Sequence, residues 1–192
     1  MKTLLIVTTM FLATPATGET DMKENLGESL DMILDAEGGF VNHSKDPGGA
    51  TNLGVTQAVY EDWMDKAVTE DDMRSLTKKD VVPIYEKNYW TRISGDDLPS
   101  GIDFAVLDLA VNAGVSRASK MLQAVVGVTQ DGGIGPQTLS AVNRMDTADV
   151  IENYAARREA FYRNLKTFET FGKGWLRRNE KTKLEALKLA SG

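Results

Sequence analysis

The sequence predicts a mainly α-helical fold with a short β-hairpin or loop region near residues 40–55. Three observations lead there. Apolar residues recur at helical spacing through most of the chain, no convincing run alternates as a strand does, and turn formers concentrate in the single stretch from Phe40 to Val55. At 192 residues, with 42% hydrophobic and 26% charged residues, the chain can bury an ordinary core. It shows no internal repeat of solenoid length.

Leu26, Leu30, Ile33 and Leu34 make one stripe, so residues 25–36 are expected as an amphipathic helix, with Asn25 as its cap and Gly38-Gly39 as its stop. After the turn-rich stretch, Thr56 can cap a helix running from Gln57 toward Met64. Thr69 to Asp72 and Thr77 to Asp80 have capping-box spacing, the second leading into a helix that Pro83 should kink or shorten. "GIDFAVLDLAVNAG", residues 101–114, is apolar nearly all round and reads as the central buried helix. Ser116 opens another helix that Gly127 closes, and Pro136 suits the first position of the next. Val150, Ile151, Tyr154, Phe161, Leu165 and Phe168 stripe one long helix. Trp175, Leu184, Leu187 and Ala190 fit a last one.

Composition removes several functions. With no cysteine there is no disulfide framework, thiolate zinc site or cysteine nucleophile, and the single histidine, His43, rules out a histidine-rich metal site. Asp96-Asp97 and Asp131 lack the alternating acids of a calcium loop, so neither metal nor cofactor is expected. The net charge of -6 is uneven: residues 151–192 carry ten Lys and Arg against five Asp and Glu, which leaves -11 for residues 1–150. The tail can touch an anionic polymer, but no basic stripe interleaved with aromatics exists, so nucleic acid is not expected as a partner. "MKTLLIVTTMFLATPATGET" has one lysine, an apolar core and then small residues, the layout of a secretory signal over residues 1–18. Met22 is the alternative start, with the product then cytoplasmic until released. No run is long enough for a stable membrane span in the mature chain, and a monomer in the periplasm or cell envelope is expected.

The chemistry concentrates in "AEGGFVNHSKDPGGATNLG", residues 36–54. Glu37 falls at the C-terminal end of its expected helix, where the dipole disfavours an anion and raises the affinity for a proton, as a general acid requires. Asp46 lies nine residues on, in the turn "KDPGG", and Thr51 follows with a hydroxyl able to hold a water. One acid, one base and one water-positioning hydroxyl suit single-displacement glycoside hydrolysis, with the carboxyls roughly 6.5–9.5 Å apart. Each residue also has an ordinary role as helix end, turn former or loop brace.

"EGGFVNHSKDPGGATNLGVT" resembles the signature of glycoside hydrolase family 108, the bacterial and phage N-acetylmuramidases of lysozyme-like fold. The resemblance continues through "IYEKNYW" and "GDDLPSGIDFAVLDLAVNAGVSRASKMLQ", and "VGVTQDGGIGPQTLSAV" resembles the accompanying C-terminal peptidoglycan-binding region. It implies a lysozyme-like catalytic region over residues 22–112 and a helical peptidoglycan-binding region over 113–192 packed on it. It further implies Glu37 as proton donor, Asp46 as base or electrostatic partner and Thr51 as holder of the attacking water. Peptidoglycan glycan strands would be the substrate, cleaved at the β-1,4 bond between N-acetylmuramic acid and N-acetylglucosamine.

Other residues have two readings each. Tyr89 and Trp90 either stack on sugar rings or anchor the core at a helix end, while Asn52 and Gln57 either bond acetamido and hydroxyl groups or order the loop. Asn112, polar in an apolar helix, needs a partner, either loop backbone or substrate. By resemblance Gln123, Asp131 and Thr138 belong to the wall-binding region. The competing functions are a non-catalytic peptidoglycan-binding accessory of a secretion or export system and a lytic transglycosylase.

Overall fold

The computed structural model describes residues 18–34, 39–42 and 49–192. Glu37, His43 and Asp46 lie outside the described residues, as does the expected stop at Gly38. Helix α1, Gly18–Leu34, starts before the Asn25 expected to cap it. Asn25 instead sits within the helix and donates to the Asp103 carboxylate at 3.2 Å. The expected stripe is the buried face: Leu26, Leu30, Ile33 and Leu34 are all in the core.

A small antiparallel sheet follows, β1 at Thr51–Asn52 and β2 at Val55–Thr56, with Val41 bridged to Thr51 on the other side. Leu53 and Gly54 both take positive φ, 49° and 71°, as a tight hairpin turn with the right-handed strand twist requires. Helix α2, Gln57–Met64, is capped by the Thr56 hydroxyl. Helix α3, Glu70–Arg74, starts on the Thr69–Asp72 box and α4, Lys78–Tyr85, on Thr77 and Asp80. Bonds from Thr69 and Thr77 hold both aspartates below the usual carboxylate range. Pro83 does not end its helix. The chain runs on through a π-helical turn, Glu86–Trp90, and two 3-10 turns, Thr91–Ile93 and Gly95–Asp97.

The predicted central helix is α5, Ile102–Ala113, with Ile102 to Ala110 buried without a break. Helices α1 and, further along the chain, α6, Val115–Val125, pack against it. So do α8, Thr147–Arg163, and α9, Phe168–Leu189. The short α7, Pro136–Val142, begins on its proline as expected. The long helix expected to reach Phe168 instead breaks after Arg163, and Phe168 opens α9. Asn164 explains the break: its side-chain amide bonds the Ala160 carbonyl at 2.8 Å, competing with its own backbone amide for that acceptor. At the start of α5, Gly101 has φ 88°, and a Cβ there would stand 2.2 Å from the Ala186 carbonyl of α9. Only glycine allows that approach.

Two acids on the apolar helix need partners, and each has them. Asp108 meets Arg158 of α8 at 2.5 Å and Arg178 of α9 at 2.8 Å. Burial pushes its carboxyl up, but the two guanidinium groups outweigh that and hold it below the ordinary range. Arg158 is itself buried and bonds the Tyr162 hydroxyl at 2.8 Å. Asn179 donates to the Ala155 carbonyl and Tyr154 to that of Ala118, tying α9 to α8 and α8 to α6.

Asp103 is the opposite case. The amides of Gly101 and Phe104 and the Asn25 side chain donate to it, yet burial prevails and pushes it up to about 6. The folded chain therefore holds this proton more tightly than the unfolded chain, whose carboxyl has the ordinary value of 3.8. Its stabilising contribution is full below that ordinary value and is lost as pH rises through about 6.

Two outcomes are expected. Asp108→Ala leaves Arg158 charged and unpaired in the core and should cost about 3–5 kcal/mol in urea unfolding; a loss typical of a surface site would show that the pairing carries little. Asp103→Asn should flatten the dependence of Tm on pH between about 4 and 6. A profile unchanged from the wild type would place the titration elsewhere.

Candidate active site

The hairpin is positioned by side chains bonding backbone. Thr51 gives both its amide and its carbonyl to Val41, at 2.8 Å each, so β1 has a neighbour on either side. Its hydroxyl makes no hydrogen bond among the described residues, and the residue is half-buried. In sequence, the bridge joins the described residues on either side of Asp46. Phe40, one residue before Val41, lies under the Arg74 guanidinium at 3.9 Å. Asn42, one residue after, donates to Glu70 at 2.9 Å, so α3 supports the outer strand.

Asn52 is buried, and its amide donates to the Met73 carbonyl at 2.8 Å. Gln57 donates to the Val68 carbonyl at 2.9 Å, and Glu61 accepts from the Val68 amide. Of the two readings open for Asn52 and Gln57, these bonds are those of loop order. The Tyr85 hydroxyl reaches the Leu53 carbonyl at 3.1 Å and so holds the hairpin tip to α4. Nothing in the sequence singled out Tyr85.

Trp90 is 1% exposed, its indole N–H donates to Asp96 at 2.7 Å, and its ring covers Gly95. Of the two readings open for Trp90, this burial fits the core anchor. Tyr89 is half-buried and packs on Tyr85 with ring centroids 5.5 Å apart. Asn112 bonds back to the Asp108 carbonyl at 2.6 Å and stays exposed, on the rim of a hollow of about 170 Å³ that Phe161, Tyr162 and Trp175 also line. A larger hollow, about 520 Å³, is walled by Val59, Asp62, Trp63, Lys87 and Asn88 between α2 and the π turn. It contains none of the residues the sequence put forward.

Gln123, Asp131 and Thr138 do come together, but as an internal brace. Gln123 is buried, donates to Asp131 at 2.6 Å and to the Gly133 carbonyl at 2.9 Å, and accepts from the Gly132 amide at 2.9 Å. The buried Thr138 hydroxyl is a further acceptor at 3.3 Å. The Gly133 amide and the Gln123 side chain hold the Asp131 carboxyl below the usual range. Gln123 and Thr138 are therefore interior members of this brace, and Asp131 is its exposed one.

Among the described residues no cluster of histidine, aspartate and glutamate is arranged to hold a metal ion. No described helix is long and apolar enough to cross a membrane.

The comparisons with known proteins divide the chain into two matched parts. Residues 30–114 match the family model described as Glycosyl hydrolase 108, and residues 117–180 match the Predicted Peptidoglycan domain. Among solved structures the chain is similar to SagA of Brucella abortus, with 44% identity and a TM-score of 0.77, over 88% of this chain and 98% of that one. No curated protein matches.

The brace generates a prediction of its own. Gln123→Ala should release the loop at 128–134, speed hydrogen exchange at the Gly132 amide and cost about 1–3 kcal/mol, because it strands buried partners. Undiminished protection at Gly132 would show that the loop is held by something else.

Proposed function

The chain belongs to the Glycosyl hydrolase 108 family and is a peptidoglycan hydrolase of the N-acetylmuramidase class, and from that premise we propose how its residues divide the work. Glu37 is the general acid: it delivers its proton to the glycosidic oxygen as the bond from C1 of N-acetylmuramic acid breaks. Thr51 holds the attacking water, and Asp46 takes the proton that water loses or steadies the positive charge that develops at C1. One displacement of this kind inverts the anomeric centre.

The observation that carries the reading is the framing of Thr51. Its backbone groups are fixed by Val41, and the hairpin beyond it is tied down at Asn52, Leu53 and Gln57, so its backbone has a settled position and its hydroxyl is left unbonded among the described residues. A water-positioning group needs that rigidity. Glu37 and Asp46 are supported by their place in the motif, with acid, base and hydroxyl inside fifteen residues of the matched segment. Tyr89 and Asn112 retain accessible surface and are assigned to substrate contact.

The division into a catalytic region over 22–112 and a wall-binding region over 113–192 fits the two matched segments, and the second packs on the first through α5. Work on peptidoglycan places the protein at the cell wall. Residues 1–18 are proposed as the export signal that brings it into the periplasm, which the mass of the mature N-terminus tests.

Glu37→Gln should slow lysis of purified sacculi by about 10²–10⁴-fold while the protein still pellets with them. Unchanged lysis would refute the acid assignment. NMR of the first-formed product should show the anomeric configuration inverted, and retention would refute the single displacement.

A further inference from the structure

The brace at Gln123 shapes the surface in front of it. Between α6 and α8 lies an open hollow of about 290 Å³, walled by Arg117, Lys120, Gln130 and Arg157 over a floor that includes Met121 and Ala124. Arg117 and Lys120 are one turn apart on α6, Arg157 faces them from α8, and Gln130 comes from the loop that Gln123 fixes. Gly132 of that loop sits so close to α6 that a Cβ would stand 2.8 Å from the Ser116 hydroxyl and 3.2 Å from Lys120. The hollow is therefore built on two packed helices and a latched loop.

The charge in this hollow is cationic. Among the described residues none of the three cations makes an ion pair with a carboxylate, whereas Arg74, Arg158, Arg163 and Arg178 all do. Arg117 lies over the Phe161 ring at 4.7 Å, which sets its direction without neutralising it. Asp131 is the nearby acid: its Oδ1 is engaged by Gln123 and Gly133, and its charge also acts on Lys120. Three cations that line one concavity and make no carboxylate ion pair among the described residues, in a protein of net charge -6, form a local anion site.

We propose that this hollow binds the free carboxylates of peptidoglycan peptide stems, through residues other than those proposed to cut the glycan. The proposal rests on the reading that peptidoglycan is the substrate. Within that polymer the sugar backbone is essentially neutral, and the stems carry the free carboxylates. Arginine and lysine with a glutamine amide beside them supply the donors that carboxylates take. The volume suits the end of a peptide rather than a whole repeating unit. The position also gives the segment that matches the Predicted Peptidoglycan domain a surface of its own. A stem held there would keep the enzyme on the wall between cuts.

The test uses the full chain and a soluble stem tetrapeptide, which contains no glycosidic bond and so is not consumed. Titration calorimetry should detect binding of the tetrapeptide, weaker binding once its carboxylates are amidated, and none of an uncharged N-acetylglucosamine oligomer at this site. The exposed pair Lys120→Ala, Arg157→Ala should lower tetrapeptide affinity about tenfold or more, and Arg157→Lys should recover most of the loss in that background. Equal binding by the double variant, equal binding of the amidated peptide, or no binding by the wild type would each overturn the proposal. Lysis by the wild type and its loss in Glu37→Gln are read separately, so the hollow can fail while the muramidase reading stands.

Discussion

The structure depends on how one buried carboxylate is neutralised. Asp108 sits in the middle of the most apolar helix, and a lone ionised acid there would be costly beyond what a domain of this size can absorb. Arg158 and Arg178 answer it from two other helices, so α8 and α9 have one arrangement against α5. Apolar replacement of such a group is often neutral or better for stability, so the triad acts mainly by deciding which packing is allowed. Gly101 under Ala186 and Asn179 on Ala155 reinforce the same arrangement.

This constraint bears on function because the triad spans the two matched segments. Asp108 lies in the part that matches the hydrolase family, and both arginines lie in the part that matches the peptidoglycan domain. The C-terminal helices are thus a wall of the enzyme's own core, not an appendage on a linker. Residues on α8 and α9 consequently hold a fixed relation to α5. On the proposed division, a catalytic segment and a wall-binding segment that share a core would act on the polymer as one body.

Much of the helical frame was legible because it rests on local rules. The stripe of Leu26, Leu30, Ile33 and Leu34, the caps at Thr56 and Thr69, and the apolar run from Ile102 each need only their own segment to be read. The rest required partners distant in sequence. Asn25 looked like a cap because its role in bonding Asp103 involves another helix, and the long stripe through Phe168 concealed a break that Asn164 makes with its side chain. At the site, Thr51 stood out by motif, while Asn52, Gln57 and Gln123 were polar residues whose donors turned out to meet backbone or interior groups. Trp90 was ambiguous for the same reason: an aromatic at a helix end suits a sugar or a core equally until its burial is known. Asp103 and Asp108 were the overlooked signal, since two acids in an otherwise apolar helix already require buried partners.

The central claim is that this helical frame hydrolyses the glycan of peptidoglycan with water as the nucleophile. Mass spectrometry of sacculi digested by the purified protein tests it most directly. Muropeptides ending in reducing N-acetylmuramic acid are the predicted products. Ends in the 1,6-anhydro form, lighter by one water, would mean that the sugar's own hydroxyl had attacked, and would contradict the role given to Thr51 and its water.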